Sequence, residues 1–482
     1  MEYLNTTLVL VGSIGYIYKS LDLMYLFQIK EYRFDRFISF VKEEGIARSF
    51  FLHPFKLPAK SFRNLVLFAF HLSVAAGLFF VLAKLSMITF SLFYIFVSFI
   101  FSIATTYIAI EITNIASHVL RSAIIYFAKR KIEKSKTVFI GITGSFGKTS
   151  VKEFLFHILS KKFIVAATEK NYNSDIGIAL SVIRLLRNDT QFFIAEMGAY
   201  RIGEIAKCCK LTHPMYGILT GIGNQHLDLF GSHSNLVQAK FELIRSIPKK
   251  GRIYINRDVM PIQAIKIPVN ASCCYYSTHK AANIVGSNIT YLNHRLHASV
   301  MYKKTNFIID TRLLGSHNIA NLLPCIGLAY DLGMTKKDIE KAIQILNPVE
   351  HRLSISNGIS GSTVLDDTYN SNVDGFIAAI HTADILPFKK KIIMTRGLIE
   401  LGKEKNSSYI KIIKTIQASS SSITLYTTDP LFSKFGKNSS IKMFPVEDKL
   451  VKSLVEKVNK ETLIVMEGRF SPNTISIVRS KI

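Results

Sequence analysis

Between Gly141 and Ser150 the chain reads Gly-Ile-Thr-Gly-Ser-Phe-Gly-Lys-Thr-Ser, at the end of an apolar run and ahead of a helical pattern. That is the context in which a loop can hold phosphate. Glycines let successive backbone N–H groups turn toward an anion, and the amino terminus of the following helix adds partial positive charge. In such chemistry Gly144, Ser145, Gly147 and Ser150 line the anion, Lys148 neutralises β/γ-phosphate charge, and Thr149 holds Mg²⁺. The spacing departs from G-x-x-x-x-G-K-[ST], because residue 142 is Ile and the first glycine falls one place earlier. A glycine-rich turn without a ligand is the competing reading, and Gly-Lys-Thr in this setting argues against it.

A second chemical residue is Glu196, at the end of the apolar run 191–197. A carboxylate at a strand end can reach a Mg²⁺ shared with a γ-phosphate, although a plain surface carboxylate is the alternative. Arg352 is a cation suited to neutralising phosphate charge, and Asp366 or Asp367 can take ribose or support the metal's shell. An interdomain ion pair would use the same residues. Asn318 and Asn321 carry amides that can read adenine edges, and Asn318 can also cap a helix.

These residues need a scaffold that brings strand ends together. From 137 onward, short apolar runs at 137–142, 191–197, 215–220 and 252–255 alternate with helical stretches such as 151–160 and 236–246. Alternation of this kind predicts an α/β domain with a parallel sheet. The segment 284–311 predicts a small antiparallel insert. A second alternation, with strands near 362–365, 391–395, 422–426 and 462–466, predicts a separate Rossmann-like carboxy-terminal domain. The expected division is 1–136 as a membrane region with a basic loop, 137–347 as the ATP-binding domain and 348–482 as the last domain.

The first quarter differs in kind. Two uncharged runs, 65–83 and 85–110, are each long enough for a hydrocarbon layer of about 30 Å, which needs about 20 residues. A shorter run at 3–18 has Glu2 ahead of it and no small-residue cleavage pattern behind it, which favours a first membrane helix over a cleaved signal peptide. Basic residues crowd 19–63 and 121–136, while only Lys84 separates the two long runs. The positive-inside rule therefore puts the large remainder in the cytoplasm, at the inner membrane. The net charge of +26 is scattered, without a basic motif interleaved with aromatics, so nucleic acid is not the expected partner. Attraction to anionic lipid accounts for it. The five cysteines, Cys208, Cys209, Cys273, Cys274 and Cys325, lack metal-ligand spacing and read as inert.

The loop Gly-Ile-Thr-Gly-Ser-x-Gly-Lys-Thr resembles the ATP loop of the Mur ligase family, whose members build the peptide stem of bacterial cell walls. Further stretches resemble that family in the same order: Lys170–Gly177, Ala195–Ala199, Gly221–Ser232 with Ala239–Ile244, Gly315–Asn321, His351-Arg352 and Asp366–Asn372. The resemblance runs from about 137 to the end. Glu-Met-Gly-Ala and Asp-Asp-x-Tyr-Asn-x-Asn are most similar to the MurF type, and Thr395–Gly402 resembles that type's stretch near the incoming dipeptide, although a simple strand-to-helix turn explains it almost as well.

The resemblance implies ATP and Mg²⁺, two ions in the family pattern, held by Thr149, Glu196, His226 and Lys240. It implies carbamylation of Lys240, since an ammonium beside Mg²⁺ is repelled whereas a carbamate can ligate it. An unmodified Lys240 pairing with phosphate stays open. The implied catalytic set is Lys148, Lys240, His226 and Arg352. The implied reaction joins D-alanyl-D-alanine to a muramyl tripeptide through an acyl phosphate, with closure of the last domain excluding water. Family members of this type carry a soluble amino-terminal domain that grips a UDP-sugar, whereas here membrane segments fill that space. The substrate is therefore a UDP-muramyl or a lipid-linked muramyl peptide, and other cell-wall enzymes are possible partners. Two other readings stay open: a ligase of this fold with another acceptor, such as a poly-amino-acid or folate-type ligase, and a membrane scaffold with a degenerate ATP site.

Overall fold

A computed structural model describes residues 2–30, 32–46, 49, 55–85, 88–169, 172–223, 230, 232–258, 271–292, 295–348, 352–368, 373–398, 405–436 and 440–479. The chain divides into two compact units, Met1–Ala123 and Ile124–Ile482.

The first unit is helical: α1 (Glu2–Ile29), α2 (Phe34–Glu44), α3 (Phe62–Leu85) and the greater part of α4 (Ile88–Glu133). The run read at 3–18 extends to a helix of 28 residues, because Leu21 to Ile29 continue its apolar pattern past Lys19 and Asp22, which pair with each other at 2.6 Å. Among the described residues two helices are long and apolar enough to cross a membrane, Phe62–Lys84 and Ile88–Glu133. Their outward residues are large and apolar, including Phe80, Phe93, Phe96 and Ile100. Polar side chains turn inward and bond between helices. Tyr16 Oη lies 2.8 Å from His71 Nδ1 and 2.9 Å from Thr105 Oγ1, and Thr106 Oγ1 lies 3.2 Å from His71 Nε2. Apolar faces outward and hydrogen bonds inward are the pattern of helices packed in a non-aqueous solvent.

The second unit holds two sheets. The first contains β1 (Val138–Thr143), β2 (Val165–Ala167), β3 (Phe192–Glu196), β4 (Tyr216–Leu219), β5 (Arg252–Asn256), β6 (Ser272–Ser277), β7 (Ile284–Leu292), β8 (Arg295–Tyr302) and β9 (Thr305–Thr311), in the spatial order β2-β3-β1-β4-β5-β6-β7-β8-β9. Strands β1 to β6 are parallel, and β7 also joins β6 in parallel before β8 and β9 turn back. The antiparallel segment expected as an insert is thus a continuation of the main sheet. Both faces are covered, so β1 alternates between two cores: Ile140 and Ile142 face one, Phe139 the other. The first core packs against α5 (Lys148–Leu159), α9 (His317–Asp331) and α10 (Lys336–Gln344). The second packs against α6 (Asp175–Leu185), α7 (Glu204–Thr212) and α8 (His233–Ser246), and the last turns of α4 join it through Ala128. Lys131 of α4 donates to the Ile183 carbonyl at 2.7 Å.

The second sheet has the order β10-β11-β15-β12-β13-β14, from β10 (Ser354–Asn357), β11 (Thr363–Asp367), β12 (Lys390–Thr395), β13 (Ile423–Thr427), β14 (Ile441–Met443) and β15 (Thr462–Glu467). All but β10 run parallel. Helices α11 (Val373–Ile385), α12 (Lys405–Gln417), α13 (Pro430–Phe435), α14 (Glu447–Val455) and α15 (Pro472–Val478) complete it. Leu365 and Ile393 face one core, and Val364, Ile392 and Met394 the other.

Ala128 is fully buried in a core of the second unit. Ala128→Arg is therefore expected to destabilise that unit by about 2–3 kcal/mol through overpacking alone. Denaturant unfolding of the detergent-solubilised chain, followed by tyrosine fluorescence, checks this. Arg130→Ala, at an exposed site of the same helix, is the control and should change little.

Candidate active site

The loop after β1 is pinned from its neighbour. Thr220 at the end of β4 donates its N–H to the Thr143 carbonyl at 2.9 Å, and its hydroxyl bonds to the Phe146 carbonyl. The Ser145 N–H donates to the Gly221 carbonyl at 2.8 Å. Gly144, at φ +155°, has no room for a side chain, because a Cβ would lie 2.1 Å from Thr220 Oγ1. Gly147, at φ +77°, would push a Cβ to 2.6 Å from Asn321 Oδ1. Gly147 also provides no side-chain cap for α5, so the first N–H groups of that helix face the loop's concavity. Lys148 folds back, its Nζ donating to the carbonyls of Gly144 at 2.8 Å and Ser145 at 3.2 Å. Thr149 and Ser150 are buried in the first turn.

Glu196 ends β3 beside β1 and is 2% exposed. Its N–H donates to Thr168 Oγ1 at 3.1 Å, and Oε1 accepts a long bond of 3.5 Å from Asn173 Nδ2. Its Oε2 is buried and accepts no hydrogen bond among the described residues. A buried carboxylate oxygen beside a glycine cradle of N–H donors fits a divalent cation with a polyphosphate. Lys240, on α8, is also buried, and its amine is pushed down to about 7 by burial and then by the charge of Lys148. Burial likewise lowers Lys148, with Glu196 opposing and Arg352 reinforcing the shift. Lys148, Glu196, Lys240 and Arg352 therefore share one electrostatic neighbourhood. His226 lies outside the described residues, as do Lys170, Asn171, His351, 369–372 and 399–402. Among the described residues no three His, Cys, Asp or Glu side chains cluster as a metal site.

Beside the loop a cavity of about 330 Å³ is lined by Phe146, Gly147, Asn321, Arg352, Asp367 and Asp258, among others. Asn318 does not line it: its amide donates to the Leu314 carbonyl at 2.6 Å, and its oxygen accepts from Asn321 at 3.2 Å. It orders the start of α9 and orients Asn321. Asp366 is fully buried and bonded to Thr368 and Arg479, the latter at 3.1 Å, so its neighbour Asp367 is the one that reaches the cavity. Asp258, His317 and Thr278 also line the cavity, and none of the three is marked by type and spacing in the sequence as a site residue. Burial works against the Asp258 carboxylate, but bonds from Ser277 and Thr278 hold it below its ordinary range. The only sequence signal for it is its place just past β5. The cysteines are free thiols, and burial raises all five.

The profile of the Mur ligase middle domain matches residues 142–329. The segment that carries the phosphate loop is thus similar to a Mur ligase middle domain. Curated relatives include the UDP-N-acetylmuramoyl-tripeptide–D-alanyl-D-alanine ligases of Bacillus subtilis, 28% identical over 58% of this chain and 60% of that protein, and of Borreliella burgdorferi, 31% identical over 56% and 58%. That of Buchnera aphidicola is 29% identical over 70% and 75%. The chain thus spans about 60% of the length of the first relatives it matches. Among solved structures, MurF from Acinetobacter baumannii superposes with a TM-score of 0.67 at 22% identity, covering 75% of this chain and 81% of that one. MurF from Thermotoga maritima, solved with ADP, gives 0.65 at 21%, covering 72% and 80%. These superpositions establish the α/β fold.

The second sheet carries an acidic pair at the carboxyl ends of β11 and β15. Asp367 and Glu467 are partners in register. Glu467 is fully buried, and neither of its oxygens accepts a hydrogen bond from another described group. Burial raises both groups, Asp367 to about 7 against the opposing Arg352 charge and Glu467 hydrogen bond, and Asp367 adds to the rise at Glu467. One shared proton supplies the donor that neither carboxylate has. Raised carboxyl values mean the folded state holds a proton the unfolded chain has released, so stability falls as pH rises from the ordinary carboxylate range, about 4, through about 7. Glu467→Gln is expected to flatten this decline. Thermal unfolding midpoints of the two proteins across that range measure it, and parallel curves would contradict it.

Proposed function

We propose that this chain is an ATP-dependent, ADP-forming amide ligase of cell-wall precursor synthesis, joining D-alanyl-D-alanine to a muramyl tripeptide. The observation that carries the proposal is the convergence of a glycine cradle, Lys148, Lys240 and a buried, under-bonded Glu196 at adjacent parallel strand ends. In this reading 137–347 is the ATP-binding domain and 348–482 the last domain, with 1–136 holding both at the cytoplasmic face of the inner membrane. The relatives named for this reaction support the substrate assignment. The acceptor is a UDP-muramyl peptide or its lipid-linked form.

ATP would supply the phosphoryl group that activates the acceptor carboxylate, and Mg²⁺ would stabilise the charge that moves. Gly144, Ser145, Gly147 and Ser150 cradle the phosphates, and Lys148 unfolds from the loop carbonyls to neutralise them. Thr149, Glu196, His226 and Lys240 are the proposed metal ligands, for as many as two ions. Lys240 is suited to carbamylation because its lowered basicity provides the neutral amine that attacks the carbon of CO₂ and gives up a proton as the carbamate forms. Asn321, oriented by Asn318, borders the nucleotide, and Arg352 offsets phosphate charge from the cavity wall. Asp367, with Asp366 tied behind it, faces the ribose. Positioning rather than covalent chemistry by the protein is the main demand of both steps.

Phosphate release by the detergent-solubilised full chain tests the reading. ATP and Mg²⁺ are present throughout, and UDP-muramyl tripeptide and D-alanyl-D-alanine are added singly and together. Release with a ligated product only when both are present is the expected result. Lys148→Ala should lower it about a hundredfold or more. Binding of ATP without turnover on either the UDP-linked or the lipid-linked acceptor would sink this assignment. Labelled bicarbonate should give a carbamate signal in the wild type that Lys240→Arg lacks.

A further inference from the structure

Lys152 is a fully buried lysine that the reaction above does not use. Lysine is almost never fully buried without partners, so its contacts indicate its role. It sits one turn beyond Lys148 on α5, which puts both ammonium groups on the same face of that helix. Its Nζ donates to the Thr168 carbonyl at 2.9 Å, just past the end of β2. It also lies 3.2 Å from Glu153 Oε1 and 3.8 Å from Glu196 Oε2.

The Glu196 contact is the informative one. The Glu153 side chain is 44% exposed, and a pair of that kind contributes little. Glu196 is buried, and among the described residues its Oε2 has Lys152 as its only cation within 4 Å. Both groups also hold the same residue from two sides: Lys152 bonds the Thr168 carbonyl, while the Glu196 N–H bonds the Thr168 hydroxyl. Lys148 also acts on Glu196, but its ammonium is the group that must leave for phosphate. Once it does, Lys152 remains the cation within 4 Å of Oε2 among the described residues.

We infer that Lys152 is a positioning residue that holds Glu196 in the orientation from which it takes the divalent cation. The inference rests on the reading of Glu196 as a metal ligand. Partners that orient a metal's ligands typically change metal affinity by 10–100-fold when removed, although they never touch the ion. The same helix then serves both halves of the site, Lys148 for the phosphates and Lys152 for the metal's carboxylate.

The test is ADP binding to the full chain in detergent, by calorimetry, as Mg²⁺ is varied. Lys152→Met should raise the Mg²⁺ midpoint about tenfold and leave ADP affinity without Mg²⁺ unchanged. Lys152→Arg should recover most of the loss. Lys152→Gln keeps a donor for Thr168 and removes only the charge, so it carries the same expectation if the methionine variant does not fold. In a Glu196→Gln background Lys152→Met should add nothing, whereas a merely structural lysine would give additive effects. An unchanged midpoint in a folded variant, or an equal shift in both backgrounds, overturns the inference alone. A wild type that binds ADP without regard to Mg²⁺ overturns the metal-site reading as well.

Discussion

The packing of the loop after β1 against the end of β4 is the constraint on which the site depends. Three neighbouring strands, β3, β1 and β4, run parallel and finish at the same level, so Glu196, the phosphate loop and Thr220 emerge side by side. Thr220 occupies the space that any side chain at residue 144 would need. The loop is therefore shaped by its neighbour rather than by its own residues alone. In a parallel sheet, groups far apart in sequence reach one edge without any local signal that they will meet.

Electrostatics follows from that geometry. Lys148, Lys152 and Lys240 all bear on the strand-end carboxylate Glu196, and Arg352 bears on Lys148. Burying several cations beside one another is costly without a polyanion. The lowered basicity of Lys148 and Lys240 reflects that cost, and a nucleotide's phosphates would relieve it. Asp367, on the wall of the cavity beside the loop, shows the opposite imbalance, because its carboxyl meets that of Glu467 at the adjacent strand end. Arg352 acts on both regions, since its charge bears on Lys148 and on Asp367.

The first unit obeys different rules. Its helices expose Phe, Leu and Ile and place Tyr16, His71, Thr105 and Thr106 inside, where their hydrogen bonds tie α1, α3 and α4 together. Helix α4 belongs to both regimes: its early residues are exposed and apolar, and its last turns enter a core of the second unit at Ala128.

Much of this was legible in the sequence. Periodicity gave the strands that carry the site, because each is an apolar run bounded by polar residues. The Gly-Lys-Thr motif announced its own turn and helix. The antiparallel character of 284–311 is legible in its alternation, but its attachment to β6 is not, since which edge a hairpin extends is decided by pairing far along the chain. Strand β2 escaped notice because three residues carry no period. Sequence determined the types of residue that could hold phosphate and metal, through spacing alone. Only the tertiary structure decided that Asp367 faces the cavity while Asp366 binds Arg479, that Asn318 orients Asn321, and that Asp258 lines the cavity wall. Adjacent residues on a strand point to opposite sides, and which side faces a ligand is set by what packs behind the sheet.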